Sequence, residues 1–120
     1  MLRVYGIKNC NTVKKSLDWL NSNNIKFEFF DVKKIDLTIN LINDWIKNIS
    51  SPYTSENLIN KKGMTWRRLS DDEKKLPLSK ENIINLIQKY PTAMKRPVIT
   101  DKKKVLAIGF DENIYEEKIK

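Results

Sequence analysis

A chain of 120 residues suits one ordinary domain with a buried core and is too short for two independent ones. With 40% hydrophobic and 32% charged residues it describes a folded globule and not a disordered tail. Cys10 is its sole cysteine and histidine is absent, which excludes an internal disulfide, a Cys-rich zinc site and His-based acid–base catalysis.

The formal net charge of +8 raises a nucleic-acid reading, because a clustered basic face binds phosphate by releasing counterions. Against it, 19 of the 23 basic residues are Lys, the poorer fork for phosphate and base edges. Lys, Asn and Ile, all served by A/T-rich codons, make up 47 of the 120 residues, so the charge is read as composition and nucleic acid is not the expected partner. Lys61-Lys62 and Lys102-Lys103-Lys104 are read as turn and helix-end residues in solvent. No apolar run approaches the ~20 residues that span a bilayer. The start, Met1-Leu2-Arg3-Val4-Tyr5-Gly6, lacks the apolar stretch of a secretion signal, so a cytoplasmic location with no membrane partner is expected.

In chain order, Leu2 to Gly6 alternates apolar and polar side chains and ends on glycine, a short strand and turn. Val13, Leu17 and Leu20 then fall on one stripe of a helix from Thr12 to about Asn23. Ile25 to Phe30, β-branched and aromatic, is a second strand, and the three elements form a βαβ unit with parallel strands. Helices take over next. Leu41, Ile42, Trp45, Ile46 and Ile49 repeat at helical spacing after Asp36 as N-cap, and Thr54 to Lys62 is a short helix closed by Gly63. Ser70 caps a turn opening Asp71-Asp72-Glu73, and Ser79 caps a helix through Ile83, Ile84 and Ile87 that finishes near Tyr90, before Pro91. Val98-Thr100 and Val105-Ile108 flank a lysine-rich turn as an antiparallel hairpin, and Ile114 to Ile119 closes with a helix. The order is βαβ, a helical block, then ββα, which is an α/β fold.

Three places carry chemistry. Cys10 sits between the first strand and first helix, where unpaired backbone N–H groups, the macrodipole and Lys8 favour thiolate over thiol. The same residue also fits as a small hydrophobe packed in a turn. Lys95-Arg96-Pro97-Val98 sets a proline at the first position of a strand, a site for a cis peptide or simply for a residue that lacks an N–H. Gly63-Met64-Thr65-Trp66-Arg67-Arg68-Leu69 is a loop whose two guanidiniums can meet an anion, while Trp66 equally suits half-buried packing.

Taken together, Tyr5-Gly6-Ile7-Lys8-Asn9-Cys10-Asn11-Thr12, Gly63 to Leu69, Lys95-Arg96-Pro97 and Gly109-Phe110 resemble the arsenate-reductase-like (ArsC/Spx) family of the thioredoxin-fold superfamily, most closely its small YffB branch. The resemblance spans the chain and implies a mixed four-stranded thioredoxin-like sheet from 1–33 and 92–120, with a helical insertion at 34–91, in a single domain. It implies Cys10 as the catalytic thiol, Lys8, Asn11, Thr12 and Arg96 as its stabilising shell, and Pro97 as a cis proline facing it. Arg67, Arg68, Arg96 and Pro97 would then contact glutathione.

Arsenate reductases of the family set three arginines about the cysteine. Here only Arg96 has a counterpart, the other two falling on Asn60 and near Ile108 and Gly109, so arsenate reduction is not expected. Val13 stands where the family's Spx-like regulators carry the second cysteine of a Cys-x-x-Cys switch. The activity that remains is that of a monothiol reductase with no bound cofactor or metal. Glutathione is its cosubstrate, and glutaredoxin or a thiol protein is a partner. The alternative is an Spx-like module that binds RNA polymerase without a redox switch.

Overall fold

The computed structural model describes residues 1–120. Its sheet forms from four short strands in the order β2-β1-β3-β4: β1 (Leu2–Gly6), β2 (Phe27–Asp31), β3 (Val98–Asp101) and β4 (Lys104–Ile108). β1 and β2 run parallel, with Val4 opposite Phe29, because α1 (Asn11–Ser22) carries the chain back between them. β3 lies antiparallel to β1, with Tyr5 opposite Val98, and the β3–β4 hairpin completes the mixed sheet. A register shift between Ile99 and Thr100 leaves Leu106 as the extra residue of a bulge in β4.

Strand alternation sends side chains to two cores. Val4, Ile99 and Ala107 pack with Trp19, Leu20 and Tyr115 on the face covered by α1 and α6 (Glu112–Lys118). Tyr5, Val98 and Ile108 face the other way, onto Ile42 and Trp45 of α2 (Ile39–Lys47) and Ile83 and Ile87 of α5 (Lys80–Lys89). Both faces are therefore apolar. This explains why Phe30, on the side opposite Phe27 and Phe29, is partly buried there and stacks on Tyr5 at 5.1 Å.

The helical block departs from the sequence reading at several boundaries. β2 begins at Phe27, not Ile25, because Asn24 takes a positive φ of 56° and Ile25 N–H bonds back to Leu20 O, leaving that stretch as a turn. Thr38, not Asp36, caps α2, its hydroxyl accepting from Leu41 N–H at 3.1 Å. The helix expected from Thr54 to Lys62 is one 3-10 turn, Ser55–Leu58, after which Ile59 bridges Met94 in extended conformation. Gly63 closes nothing. It precedes α3 (Met64–Arg67), so part of the expected loop is helical. The cap at Ser70 opens α4 (Asp71–Lys75) with a reciprocal Ser70–Glu73 capping box, as the sequence suggested. α6 starts at Glu112, earlier than Ile114, since the Asp111 carboxylate accepts from Ile114 N–H.

Candidate active site

Cys10 is the N-cap residue of α1, partly exposed and in extended conformation, with its carbonyl accepting from Lys14 N–H at 3.0 Å. Its side chain makes no capping bond, and the first turn holds no acidic residue. The first backbone N–H groups of α1 therefore stay free beside the sulfur, an arrangement that suits an anion. Lys8, Asn11 and Thr12 are exposed around it. One glycine sets this geometry. A Cβ on Gly6 would stand 2.9 Å from Cγ2 and 3.2 Å from Cγ1 of Val13, so only glycine lets α1 seat this closely at the end of β1.

The pairing of Tyr5 with Val98 places Pro97 beside Gly6, at the end of the sheet from which the Cys10 loop departs. The Arg96-Pro97 peptide is cis, matching the sequence reading, and a second cis peptide, Ser51-Pro52, lies in the helical block. Arg96 turns one guanidinium nitrogen inward, donating to the carbonyls of Thr92 at 2.9 Å and Met94 at 3.0 Å, while its Nε is buried without a partner. Arg96 thus braces the turn before Pro97 through Nη1 alone, with Nη2 and the buried Nε left without a protein partner. Gly109 N–H donates to Pro97 O at 2.8 Å, and Gly109 itself sits at φ +81° under the Lys95 side chain.

The insertion is stitched to the same edge. Lys95 N–H donates to Leu58 O at 2.7 Å and Asn60 N–H to Ala93 O at 2.9 Å, a short antiparallel ladder that ends at the site. Thr65 and Thr92 hydroxyls meet at 2.7 Å and tie α3 to the turn that Arg96 braces. Trp66 is half-buried against the insertion core, with Lys61 Nζ 5.8 Å from its ring centre. Arg67 and Arg68 are exposed, and neither guanidinium makes an ion pair or hydrogen bond.

Lys61 and Lys62, read from the sequence as turn and helix-end residues in solvent, are exposed in a turn, and Lys95 is exposed opposite them. They line a cleft of about 250 Å³ with Asn57 and Asn60. Glu56 is the one acidic residue in its wall, and none of the three ammonium groups is ion-paired. Arg67 and Arg68 do not line it. Only the Ile59–Met94 pairing brings Lys61 and Lys95 together, and that contact between distant segments has no local signature. A second cleft, of about 230 Å³ between α4 and α5, is walled by Leu76, Leu78 and Leu86 and holds no group for thiol chemistry. No helix is long and apolar enough to cross a membrane.

Comparison with known proteins agrees with this layout. The ArsC family model matches residues 5–118. An uncharacterized protein of Haemophilus influenzae is 38% identical over 116 residues, covering 97% of this chain and 96% of its own length. The global transcriptional regulator Spx 1 of Oceanobacillus iheyensis is 29% identical over 113 residues, 94% of this chain and 82% of the regulator. Among solved structures, the YffB protein superposes with a TM-score of 0.86 at 26% identity, across the full length of both chains.

Proposed function

Because the chain belongs to the ArsC family, we propose that it is a monothiol reductase that uses glutathione as cosubstrate, with Cys10 as the attacking sulfur. One observation carries this reading: the only thiol stands at the N-cap of α1 with its side chain free of any capping bond, at the end of the sheet where Pro97 leads into β3 through a cis peptide. On a glutathionylated protein, Cys10 thiolate attacks the glutathione sulfur. The protein thiolate leaves, and Cys10 holds glutathione in a mixed disulfide. A second glutathione thiolate then attacks that glutathione sulfur, releasing oxidised glutathione and Cys10 thiolate. The net exchange converts the glutathionylated protein and one reduced glutathione into the free protein thiol and oxidised glutathione, and no second protein cysteine is needed. The ammonium groups of Lys61, Lys62 and Lys95 suit the two carboxylates of glutathione, and Arg96, whose Nη2 has no protein partner, suits the developing thiolate.

The test is turnover of a glutathionylated peptide by reduced glutathione, coupled to glutathione reductase. Acceleration by the native chain and none by Cys10→Ser supports the reading. Equal rates for both remove it. Similarity to Spx along 94% of the chain favours a second reading, a regulatory module that binds RNA polymerase. With Val13 at the position of a second cysteine, that module would have no intramolecular switch. It predicts polymerase binding that persists in Cys10→Ser.

A further inference from the structure

Two buried hydroxyls meet between α1 and α6. Ser16 Oγ and Tyr115 Oη are 2.8 Å apart, and both residues are 0% exposed. Ser16 Oγ also lies 3.0 Å from the carbonyl oxygen of Thr12, in the first turn of α1 and two residues beyond Cys10. Tyr115 Oη is bonded in turn to the carbonyl of Gly109, whose N–H donates to Pro97 O. Close polar contacts, buried except at the Thr12 end, therefore run from the turn that carries the thiol to the loop that carries the cis proline.

The chain has three hydroxyl links and only two hydroxyl protons, since the carbonyls at its ends donate none. Three arrangements fill two links each; one, with each hydroxyl donating to its own carbonyl, is excluded because it leaves the two hydroxyl oxygens 2.8 Å apart with no proton between them, and two remain. If Tyr115 donates to Ser16 and Ser16 to Thr12, the Gly109 carbonyl loses its side-chain donor. If Ser16 donates to Tyr115 and Tyr115 to Gly109, Thr12 O still has the backbone N–H that helical geometry gives it, so no buried carbonyl goes unpaired. The second arrangement wins, with Tyr115 as its pivot. Burial raises the Tyr115 phenol above its ordinary range, against a lowering contribution from Ser16, so the hydroxyl keeps the proton it must donate.

We propose that Ser16 and Tyr115 are positioning residues for Cys10: their shared hydrogen bond ties α1 to the Gly109–Pro97 loop at Ser16, whose backbone N–H holds Thr12 O in the turn that follows Cys10, so that the sulfur meets a disulfide laid across that end of the sheet at the angle exchange requires. The inference rests on the reading of Cys10 as the attacking thiol. Neither residue touches the reacting atoms. Their effect comes from holding two segments in register, and exchange is sensitive to that register because the attacking sulfur must line up with the disulfide bond.

Tyr115→Phe removes the hydroxyl and keeps the ring that packs edge-on against Trp19 at 5.3 Å and Phe110 at 5.1 Å. Ser16→Ala does the same within a helix that tolerates alanine. Each variant is expected to slow mixed-disulfide formation with oxidised glutathione at least about fivefold, leaving the rate with iodoacetamide, which needs no fixed orientation, within about twofold. The double variant should be no slower than Tyr115→Phe alone, because Ser16→Ala then removes a link that is already lost. Ile87→Val, which trims a buried side chain on the other face of the sheet, is the control for lost stability and should leave both rates unchanged. Amide exchange supplies a readout independent of the reaction: either variant should speed exchange at both ends of the link, at Lys14, whose N–H is bonded to Cys10 O, and at Gly109, whose N–H is bonded to Pro97 O. Native rates with oxidised glutathione in both variants, slowing no greater than that of Ile87→Val, or exchange that changes only beside the substituted residue would each overturn the inference. Absence of any adduct in the native chain would instead overturn the reading of Cys10 and with it the catalytic purpose of the link, while exchange at both ends would still decide whether the link exists.

Discussion

Replacing Gly6 by alanine tests how α1 brings Cys10 to the sheet. The added methyl would sit 2.9 Å from Val13 Cγ2 and 3.2 Å from Cγ1, where Val13 is itself 0% exposed and cannot swing clear. Overpacking of this kind costs roughly 1–3 kcal/mol. Alanine recovers about 0.4–1 kcal/mol by restricting the unfolded chain. Packing wins, and the net loss should be about 0.5–2 kcal/mol, which for a chain this size lowers Tm by roughly 2–8 °C. Thermal melts and urea titrations of Gly6→Ala, Val13→Ala and the double variant form a cycle. Val13→Ala removes both clashing methyls, so adding Gly6→Ala to it should cost nothing further, giving a coupling of about 1 kcal/mol. A Gly6→Ala protein as stable as the native chain, or one equally damaged in the Val13→Ala background, would refute the account of why Gly6 stands there.

Desolvation pushes the Glu73 carboxyl up, but hydrogen bonds from Ser70 N–H, the Tyr90 hydroxyl and the Ser70 hydroxyl, together with the Lys89 ammonium, hold it below its ordinary 4.5. Its contribution is therefore present above pH 4.5 and lost as pH falls through the lowered value, so Glu73→Gln should flatten the acid limb of a Tm-against-pH curve. An acid limb identical in both proteins would contradict this. Lys61→Ala, Lys62→Ala and Lys95→Ala should each raise KM for glutathione several-fold, with the difference shrinking at high salt, while leaving iodoacetamide labelling of Cys10 unchanged. Unaltered KM in all three would remove the lysine cleft from the site. Arsenate, assayed with glutathione and glutaredoxin, should not turn over if, as the family resemblance implies, only Arg96 among three oxyanion-holding arginines has a counterpart in this chain.

The sheet and its flanking helices were legible because their signals are local. The alternation of Leu2 to Gly6, the stripe of Val13 and Leu20, and the Ser79 cap before Ile83 and Ile87 each lie within one element. Legibility failed where a distant contact overrides local preference. Thr54 to Lys62 carries helical residues, yet Ile59 is pulled straight by pairing with Met94, and Asn60 with Ala93. Asp36 and Thr38 are both good caps, and the tie is settled by which one reaches Leu41 N–H. At the site, Cys10, Arg96 and Pro97 stood out because their residue types are informative at their positions. Lys61 and Lys62 looked like ordinary surface charge, and Ser16 and Tyr115, 99 residues apart, meet only through the packing of α6 on α1.

Intact mass after incubation with oxidised glutathione at neutral pH tests the central claim most directly. The native chain should gain the mass of one glutathionyl group, lose it on addition of reduced glutathione, and show neither change as Cys10→Ser. A native chain that stays at its own mass, with Cys10 still free to alkylation after unfolding, would contradict a glutathione-linked thiol mechanism.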